Sequence, residues 1–237
     1  MQEPTVLYEN DDFLALAKPA GVVVHHDRKH TSGTIVDWLL ENTKVGHTMS
    51  NFRDGIVHRL DKDTSGVLLV VKTQAAHEYL KDLFQKGKII KTYRALVAGI
   101  IKNDTGFIDA PLARSTKHFE KRVVGGRQGR SREARTGYRV LERFSRGDPI
   151  SAYTYIEAFP KTGRTHQIRS HMAHLGHPVA CDALYGGKKF ACPPGLERQF
   201  LHAYSLSFLG PDGARYEIEA PLPLDLEEAL KRLRQPA

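Results

Sequence analysis

The stretch GIVHRLDKDTSGVLLVVKT, residues 55–73, combines closely spaced charges with a strongly apolar segment. Five consecutive apolar residues at 67–71 predict a buried β-strand, and the KDTSG sequence before them is typical of a turn. His58, Arg59 and Asp61 lie directly ahead of that turn. Because a buried strand fixes the end of the loop that precedes it, this stretch predicts a rigid support for the charged residues Asp61 and Arg59.

Apolar patterning on either side of this stretch predicts more strands than helices. Strand-like runs occur at 5–8, 13–17, 67–72, 89–99, 136–144, 151–159, 205–208 and 215–219. Helical patterns occur at 34–42, after the capping residues Thr31 and Ser32, and at 74–86, 166–175 and 226–233. Several strands follow one another without an intervening helix, which favours an α+β fold with a mixed, mostly antiparallel sheet flanked by helices. No internal repeat or low-complexity linker interrupts the pattern, so we expect a single domain over residues 1–237.

The composition is that of a folded protein, with 237 residues of which 41% are hydrophobic. No apolar run approaches the roughly 20 residues that span a bilayer, and the acidic start MQEPTVLYENDD lacks the pattern of a signal peptide. We therefore expect a cytoplasmic protein without membrane association. Cys181 and Cys192 are too few for a disulfide framework, and a bridge between them is disfavoured in a reducing compartment, so we predict two free thiols.

Positive charge is concentrated in one segment of the chain. The formal net charge is +8, and residues 114–135 contain eight basic and two acidic residues, so this segment alone carries +6. The basic residues are Arg114, Lys117, Lys121, Arg122, Arg127, Arg130, Arg132 and Arg135. The segment is either a solvated, flexible surface loop or a loop that contacts the phosphates of a nucleic acid, to which the arginines of GGRQGR are suited.

Asp61 has two interpretations that the residues alone leave open. A carboxylate beside a turn often caps the turn, and that is one role for Asp61. The alternative is a nucleophile or general base, which must stay ionised even when partly buried. Arg59 and His58 favour the second role, since an electropositive neighbourhood stabilises the charged carboxylate.

A second group of functional candidates lies in KTGRTHQIRSHMAHLGHP, residues 161–178. Arg164 and Arg169 are either solvated surface residues or partners for a carboxylate or phosphate. His171, His174, His177 and Cys181 are close in sequence, but their spacings do not reproduce the paired patterns of zinc ligands, so we predict no metal site. Other catalytic signatures are missing: HRLD differs from the His-Arg-Asp of protein kinases, and the chain has no P-loop, nucleophile elbow or dinucleotide fingerprint.

Taken together, the motifs resemble those of the RluA family of RNA pseudouridine synthases. The matching stretches are LALAKPAGVVVH (14–25), HRLDKDTSGVLLVVKT (58–73), KTYRALVAG (91–99), GRTHQIRSHMAHLGHPVACDALYG (163–186), LHAYSLSF (201–208) and EAPLP (219–223). They follow the family order over nearly the whole chain. The stretches PLARSTKHFEKRVV (111–124) and ARTGYRVLERF (134–144) are most similar to the branch that modifies large-subunit ribosomal RNA.

The resemblance implies an isomerase that breaks the glycosidic bond of a chosen uridine, rotates the uracil and rejoins it through carbon, without cofactor or metal. By this likeness Asp61 is the nucleophile, on either the ribose or the base. Arg59 is implied to enter the RNA helix and hold the target base flipped out, which costs a few kcal/mol. Tyr93 is implied to stack on the base and assist proton removal, and Arg169 to pair with the aspartate.

The partner implied is structured RNA, with ribosomal RNA favoured over transfer RNA and the protein expected to act as a monomer. Many relatives carry a small RNA-binding domain ahead of the catalytic one, whereas here the pattern begins at about Thr5. Either target selection rests on the catalytic domain, with Arg164 and the basic segment contacting RNA, or the chain is a shortened one. A non-catalytic RNA-binding or ribosome-assembly protein with the same fold is the alternative function, although Asp61, Tyr93 and Arg169 are all present.

Overall fold

The computed structural model describes residues 3–27, 29–43, 45, 55–125, 131–145, 149–187 and 190–235. The chain forms two compact units. Unit 1 comprises Met1–Lys91 and Ala203–Pro221, and unit 2 comprises Thr92–His202 and Leu222–Ala237. A compact unit is not by itself a domain, so the single domain over residues 1–237 stays a prediction.

The described residues form eleven strands and four α-helices. The strands are β1 (Thr5–Glu9), β2 (Phe13–Lys18), β3 (Ser65–Val71), β4 (Ile90–Ala98), β5 (Thr105–Asp109), β6 (Leu112–Arg114), β7 (Arg122–Val124), β8 (Arg135–Phe144), β9 (Tyr153–Pro160), β10 (Leu201–Leu209) and β11 (Arg215–Glu219). The helices are α1 (Ile35–Asn42), α2 (Gln74–Gln85), α3 (Gln167–His174) and α4 (Leu224–Arg234). Each of these helices is too short or too polar to cross a lipid bilayer.

Unit 1 is built around β3, in the strand order β1-β2-β3-β10 with β11 paired to β10. The pairs β1–β2, β2–β3 and β10–β11 are antiparallel. Every residue of β3 is buried, and its side chains alternate between two apolar clusters. Val67, Leu69 and Val71 pack in a cluster with α2, whereas Leu68 and Val70 pack in a cluster with α1. The continuous apolar run in the sequence is thus explained by a strand that is covered on both faces.

The helices of unit 1 are fixed by their caps. The Thr34 hydroxyl accepts a hydrogen bond from the Asp37 amide, and the Asp37 carboxylate accepts one from the Thr34 amide, which forms a capping box at α1. The prediction that Thr31 and Ser32 cap this helix was therefore wrong. At α2 the Thr73 side chain accepts from the Ala76 amide, and Gly87 follows the helix at φ +65°.

Unit 2 contains strands in the order β4-β9-β8-β5, and each neighbouring pair is antiparallel. The two faces of β4 contribute to separate apolar clusters. Ala95 and Val97 pack with Ile168 of α3, whereas Leu96 packs in a cluster with Leu226 of α4. The antiparallel pairs and the helices on the sheet faces confirm the predicted α+β class, and the strand and helix positions agree with prediction to within a few residues.

Three strands were missed in the sequence. β5 has one buried residue, so it shows no apolar alternation. β6 and β7 have three residues each, which is too short for an alternation to be recognised. β6 and β7 pair in register from Leu112–Val124 to Arg114–Arg122, which makes the start of the basic segment a hairpin. The interpretation of 114–135 as one flexible loop was therefore wrong for this part. Lysine and arginine dominate its sequence and obscure the strand pattern.

The two cysteines are paired in a disulfide between Cys181 and Cys192, with their Cα atoms 5.1 Å apart. This separation is within the range that a disulfide requires. The prediction of two free thiols was therefore wrong. It rested on the expected compartment, whereas the pairing depends on how close the fold brings the two Cα atoms.

Candidate active site

Asp61 is half-buried in unit 1, in the turn that leads into β3. Its carbonyl oxygen accepts a hydrogen bond from the Thr64 amide at 3.1 Å, which closes the turn. Leu60 beside it is buried and Arg59 is exposed, so the backbone directs alternate side chains toward the core and toward solvent. Gly66 has φ +120°, and a Cβ there would collide with the backbone of Ala203. The glycine of the DTSG turn is therefore required by a close approach between backbones.

His58 fastens this turn to β3 as a neutral side chain. Its Nε2 accepts a hydrogen bond from the Leu69 amide at 2.8 Å, and its ring stacks on Phe84 with centroids 4.6 Å apart. Burial, together with the positive charge of Lys91, lowers the pKa of His58 from 6.5 to about 3. The expectation that His58 adds positive charge near Asp61 was therefore wrong, since an imidazole that accepts from an amide at this site is uncharged.

Lys18 ties the same turn to the loop after β2, and sequence reasoning did not assign it this role. The side chain is 1% exposed, and its Nζ donates to the carbonyls of Pro19 at 2.7 Å, Val22 at 2.7 Å and Lys62 at 3.0 Å. The Gly21 amide also donates to the Lys62 carbonyl at 2.9 Å. The signal in the sequence is a lysine that ends an apolar strand and precedes Pro-Ala-Gly.

Tyr93 lies in unit 2 on β4, opposite Ala158 of β9. It is half-buried and packs against the cluster that contains Ala95 and Val97. Tyr93, Ala95 and Val97 therefore lie on one face of this strand. Ile168 of α3 belongs to the same cluster, so β4 and α3 share one apolar contact region in unit 2.

Arg169 is buried on α3 and forms a bidentate ion pair with Asp182. Its Nε donates to Asp182 Oδ2 at 2.6 Å, and its Nη2 donates to Asp182 Oδ1 at 2.9 Å. Side-chain exposure is 9% for the arginine and 0% for the aspartate. The sequence left Arg169 as either a solvated surface residue or a partner for a carboxylate or phosphate. It did not indicate Asp182, although the aspartate stands in the CDALYG stretch of the same motif.

Tyr185 connects α3 with the β6–β7 hairpin. Its ring lies under the Arg169 guanidinium, with Cζ 5.3 Å from the centroid, and Lys121 Nζ is 5.9 Å from the same centroid. Its hydroxyl accepts from the Arg122 amide at 2.7 Å and hydrogen bonds with His166 Nδ1 at 3.2 Å. Three of the predicted site residues, Arg169, Lys121 and Arg122, are therefore brought together around one aromatic side chain.

Most of the remaining basic residues lie at the surface of unit 2. Arg114 and Lys117 are exposed in or beside the hairpin, and Arg132 is exposed beside β6, where it exchanges two backbone hydrogen bonds with Leu112 at 2.9 Å each. The Arg114 guanidinium lies 5.6 Å from the ring centroid of Phe119, which is 68% exposed. No pattern in the sequence had indicated Phe119 as a candidate site residue.

Arg164 donates from Nε to the Glu133 carbonyl at 3.0 Å, which ties it to the end of the basic segment. Arg135 forms ion pairs with Asp109 and Glu133, which neutralise part of its charge. Arg127 and Arg130 lie outside the described residues. Their contribution to an RNA-binding surface stays a prediction.

The histidines near α3 make hydrogen bonds within unit 2. His171 Nδ1 is 2.9 Å from Thr136 Oγ1, and its Nε2 is 2.9 Å from the Ala110 carbonyl. Burial lowers the pKa of His171 below its usual value. His177 Nδ1 lies 2.9 Å from the Ala98 carbonyl. These contacts agree with a structural role, and the absence of a metal stays a prediction.

The predicted site residues are divided between the two units. Asp61 and Arg59 belong to unit 1, whereas Tyr93, Arg164 and Arg169 belong to unit 2. The convergence of Asp61, Tyr93 and Arg169 in one cleft stays a prediction.

Comparison with known proteins gives consistent matches over most of the chain. A sequence model described as RNA pseudouridylate synthase matches residues 12–174. An uncharacterised RNA pseudouridine synthase of Bacillus subtilis is 41% identical over 232 residues, covering 97% of this chain and 73% of that protein. The ribosomal large subunit pseudouridine synthase D of Pseudomonas aeruginosa is 40% identical over 245 residues, covering 98% and 72%. The solved structure of human RNA pseudouridylate synthase domain containing 1 is similar with a TM-score of 0.71 and 26% identity, covering 98% of this chain and 95% of that one.

Proposed function

The chain belongs to the RluA family of RNA pseudouridine synthases, and on that premise we propose that it converts specific uridines of large-subunit ribosomal RNA to pseudouridine with Asp61 as nucleophile. The family isomerises uridine in RNA. Asp61 attacks either the ribose or the base, the bond from N1 to the sugar breaks, and the uracil rejoins through C5. The bond between Asp61 and the substrate breaks again, C5 loses its proton and N1 gains one, so the product is an isomer of uridine and the reaction balances without a cofactor.

The observation that carries the proposal is the way Asp61 is held. Its turn is fixed to the buried strand β3 by His58, and to the loop after β2 by Lys18. A nucleophile acts efficiently when the protein has fixed its position before the substrate binds. Arg59 is exposed two residues before Asp61, which suits a side chain that enters an RNA helix and holds a flipped base.

Tyr93 and Arg169 complete the proposed catalytic group. Tyr93 is half-buried on β4, and a tyrosine ring and hydroxyl suit stacking on uracil and removal of the C5 proton. Arg169 is held in an ion pair with Asp182, and we propose that its positive charge also stabilises the ionised form of Asp61.

The proposed RNA-binding surface is the basic segment with its hairpin. It combines exposed basic side chains at Arg114, Lys117 and Arg132 with the exposed ring of Phe119. Cationic side chains bind phosphates, and an exposed aromatic ring offers a face on which an unpaired base can stack. Arg164 and the less exposed Lys121 and Arg122 extend the same positive surface.

Ribosomal RNA is proposed as substrate because the Pseudomonas aeruginosa relative is named for the ribosomal large subunit. Transfer RNA is the second candidate, since the motifs that the chain shares with its relatives do not distinguish the two. A monomeric protein in the cytoplasm completes the proposal.

The direct test uses RNA tritiated at C5 of uridine, because isomerisation replaces the bond from C5 to hydrogen. The wild-type protein is expected to release tritium from ribosomal RNA. Asp61→Asn is expected to reduce that release about a thousandfold or more while RNA binding is retained.

The matched control is Asp63→Asn, which changes an exposed carboxylate in the same turn and is expected to retain activity within about threefold. Full activity of Asp61→Asn would contradict the proposed nucleophile. Salt-sensitive RNA binding without any tritium release by the wild type would instead indicate the non-catalytic RNA-binding protein.

A further inference from the structure

We propose that Asp182 is the positioning residue of Arg169, and that Tyr185 links this pair to the RNA-binding hairpin. The inference rests on the proposed function and concerns residues that the sequence motifs did not assign. Asp182 acts through the arginine rather than on the substrate. Asp182, Tyr185 and Arg169 all belong to unit 2.

The ion pair fixes the plane of the Arg169 guanidinium. Two parallel hydrogen bonds join Nε and Nη2 to the two oxygens of Asp182, and both side chains are almost completely buried. A bidentate pair sets direction as well as distance, which a single contact cannot do. Because a buried charge that loses its partner is strongly destabilised, the arginine has one favoured orientation.

Asp182 is itself held by its own backbone turn. Its Oδ1 accepts hydrogen bonds from the amides of Leu184 at 2.9 Å and Tyr185 at 3.0 Å, in addition to the bond from Arg169. A carboxylate with three bonds to one oxygen and one to the other cannot rotate without losing several of them. The aspartate is thus a fixed reference for the arginine rather than a mobile counter-ion.

Tyr185 adds a contact to the face of the same guanidinium and a connection to the hairpin. The ring packs under Arg169, and the hydroxyl accepts from the backbone amide of Arg122 in β7. Ser170, next to Arg169 on α3, donates from its hydroxyl to the Arg122 carbonyl at 3.0 Å. Arg122 of the hairpin is therefore hydrogen-bonded at its amide to Tyr185, which contacts Arg169, and at its carbonyl to Ser170, the neighbour of Arg169 on α3.

These contacts predict that Asp182 affects the saturated rate and that Tyr185 affects the KM for RNA. Asp182→Asn keeps an oxygen for the backbone amides but loses the charge and the bidentate pair. We expect it to lower the rate at saturating RNA about 100-fold, since a small misplacement of a catalytic group has effects of this size. The KM for RNA is expected to stay within about threefold of wild type.

Tyr185→Phe keeps the ring under Arg169 and loses the hydroxyl that holds β7. We expect its KM for RNA to rise about fivefold, as for loss of one hydrogen bond, with the saturated rate within about twofold of wild type. If Asp182→Asn raised KM and spared the saturated rate, the positioning role would be wrong. A drop in the saturated rate of Tyr185→Phe without a change in KM would contradict the link to the hairpin.

Glu157→Gln is the matched control for disruption of a buried ion pair. Glu157 is 5% exposed in β9 of the same unit and pairs with Arg94 and Arg139. It is expected to lower thermal stability about as much as Asp182→Asn while leaving the saturated rate within about threefold. An equal loss of rate in both variants would mean that Asp182 is only structural.

A double-mutant cycle tests whether Asp182 acts through Arg169. If it does, Asp182→Asn combined with Arg169→Lys is expected to be no slower than Arg169→Lys alone. Losses that multiply in the double variant would overturn the inference. A wild-type protein that releases no tritium would contradict the proposed function, and that result is separate from the behaviour of the variants.

The orientation of Arg169 can be measured without any activity. In protein labelled with ¹⁵N-arginine, the Nε–H signal of Arg169 is identified because it disappears in Arg169→Lys. The Nε proton of Arg169 is expected to exchange slowly with solvent in the wild type and in Glu157→Gln. In Asp182→Asn it is expected to exchange at least tenfold faster, because the bond to Oδ2 is lost. Unchanged exchange in Asp182→Asn would show that Asp182 does not position the arginine, whatever the enzyme does.

Discussion

The turn before β3 in unit 1 and the hairpin of β6 and β7 in unit 2 both carry polar and charged residues, but they hold them differently. In the turn, Lys18 is 1% exposed and donates to three backbone carbonyls, while His58 is uncharged and accepts from an amide. In the hairpin, Arg114 and Lys117 are exposed. The turn uses polar groups to fix the backbone that carries Asp61, whereas these charged side chains of the hairpin are exposed at the surface.

Among the substitutions that test this difference, Lys18→Met should have the largest effect. It removes a buried donor and leaves three carbonyl acceptors without it, so we expect the free energy of unfolding to fall by about 3 kcal/mol. The measurement is urea unfolding of the wild type and of Lys18→Met. Lys72→Met is the control, because Lys72 is more exposed and donates to Glu9 and the Asn10 carbonyl. A loss below about 1 kcal/mol for Lys18→Met would show that the turn does not depend on this side chain.

The titration of His58 should give the turn a pH-dependent stability. Because its folded pKa is about 3 and its usual value is 6.5, the unfolded chain binds the proton more readily between these values. The contribution of His58 is therefore complete above pH 6.5 and is lost as the pH falls toward 3, by about 1.4 kcal/mol per pH unit at most.

His58→Gln isolates this effect, since the glutamine oxygen can still accept from Leu69 but does not titrate. Chemical unfolding at several pH values is expected to show the wild type losing stability relative to the variant as the pH falls from 6.5. Parallel curves for the two proteins would contradict the lowered pKa of His58.

The two regions also differ in how far the sequence predicted them. The run at 67–71 predicts β3 directly, because burial on both faces leaves only apolar residues along the strand. The hairpin strands β6 and β7 were missed, since three-residue strands owe their stability to contacts that are remote in sequence, such as the bond from Arg122 to Tyr185. The local pattern of apolar and polar residues does not predict contacts between residues that are remote in sequence.

The candidate site shows the same limit at single residues. Motif likeness indicated Asp61, Tyr93 and Arg169, but it did not show that Asp182 is the buried partner of Arg169 or that Lys18 braces the turn. His58 was assigned a charge from its neighbours in sequence, whereas its ionisation is determined by burial and by the amide of Leu69. Side-chain ionisation depends on the folded environment, which the order of residues does not specify.

Neutralising three arginines of the basic segment should affect binding rather than chemistry. Replacing Arg127, Arg130 and Arg132 by glutamine is expected to weaken RNA binding about tenfold and to reduce its dependence on salt, because up to three phosphate contacts are lost. The saturated rate is expected to change by less than about threefold. The measurement is RNA affinity at several salt concentrations together with the tritium assay, and a large loss of saturated rate would show that the segment shapes the active site.

Phe119 allows the smallest and most selective test of the hairpin, because its ring is 68% exposed beside the Arg114 guanidinium and supports no apolar cluster among the described residues. If a base stacks on this ring, Phe119→Ala is expected to weaken RNA binding about fivefold, which corresponds to about 1 kcal/mol, with thermal stability unchanged. Phe119→Tyr should retain wild-type affinity because the aromatic face remains, whereas Phe119→Leu should behave like alanine. An affinity that follows hydrophobicity rather than aromaticity would exclude stacking, and the hairpin would then bind RNA through its charges alone.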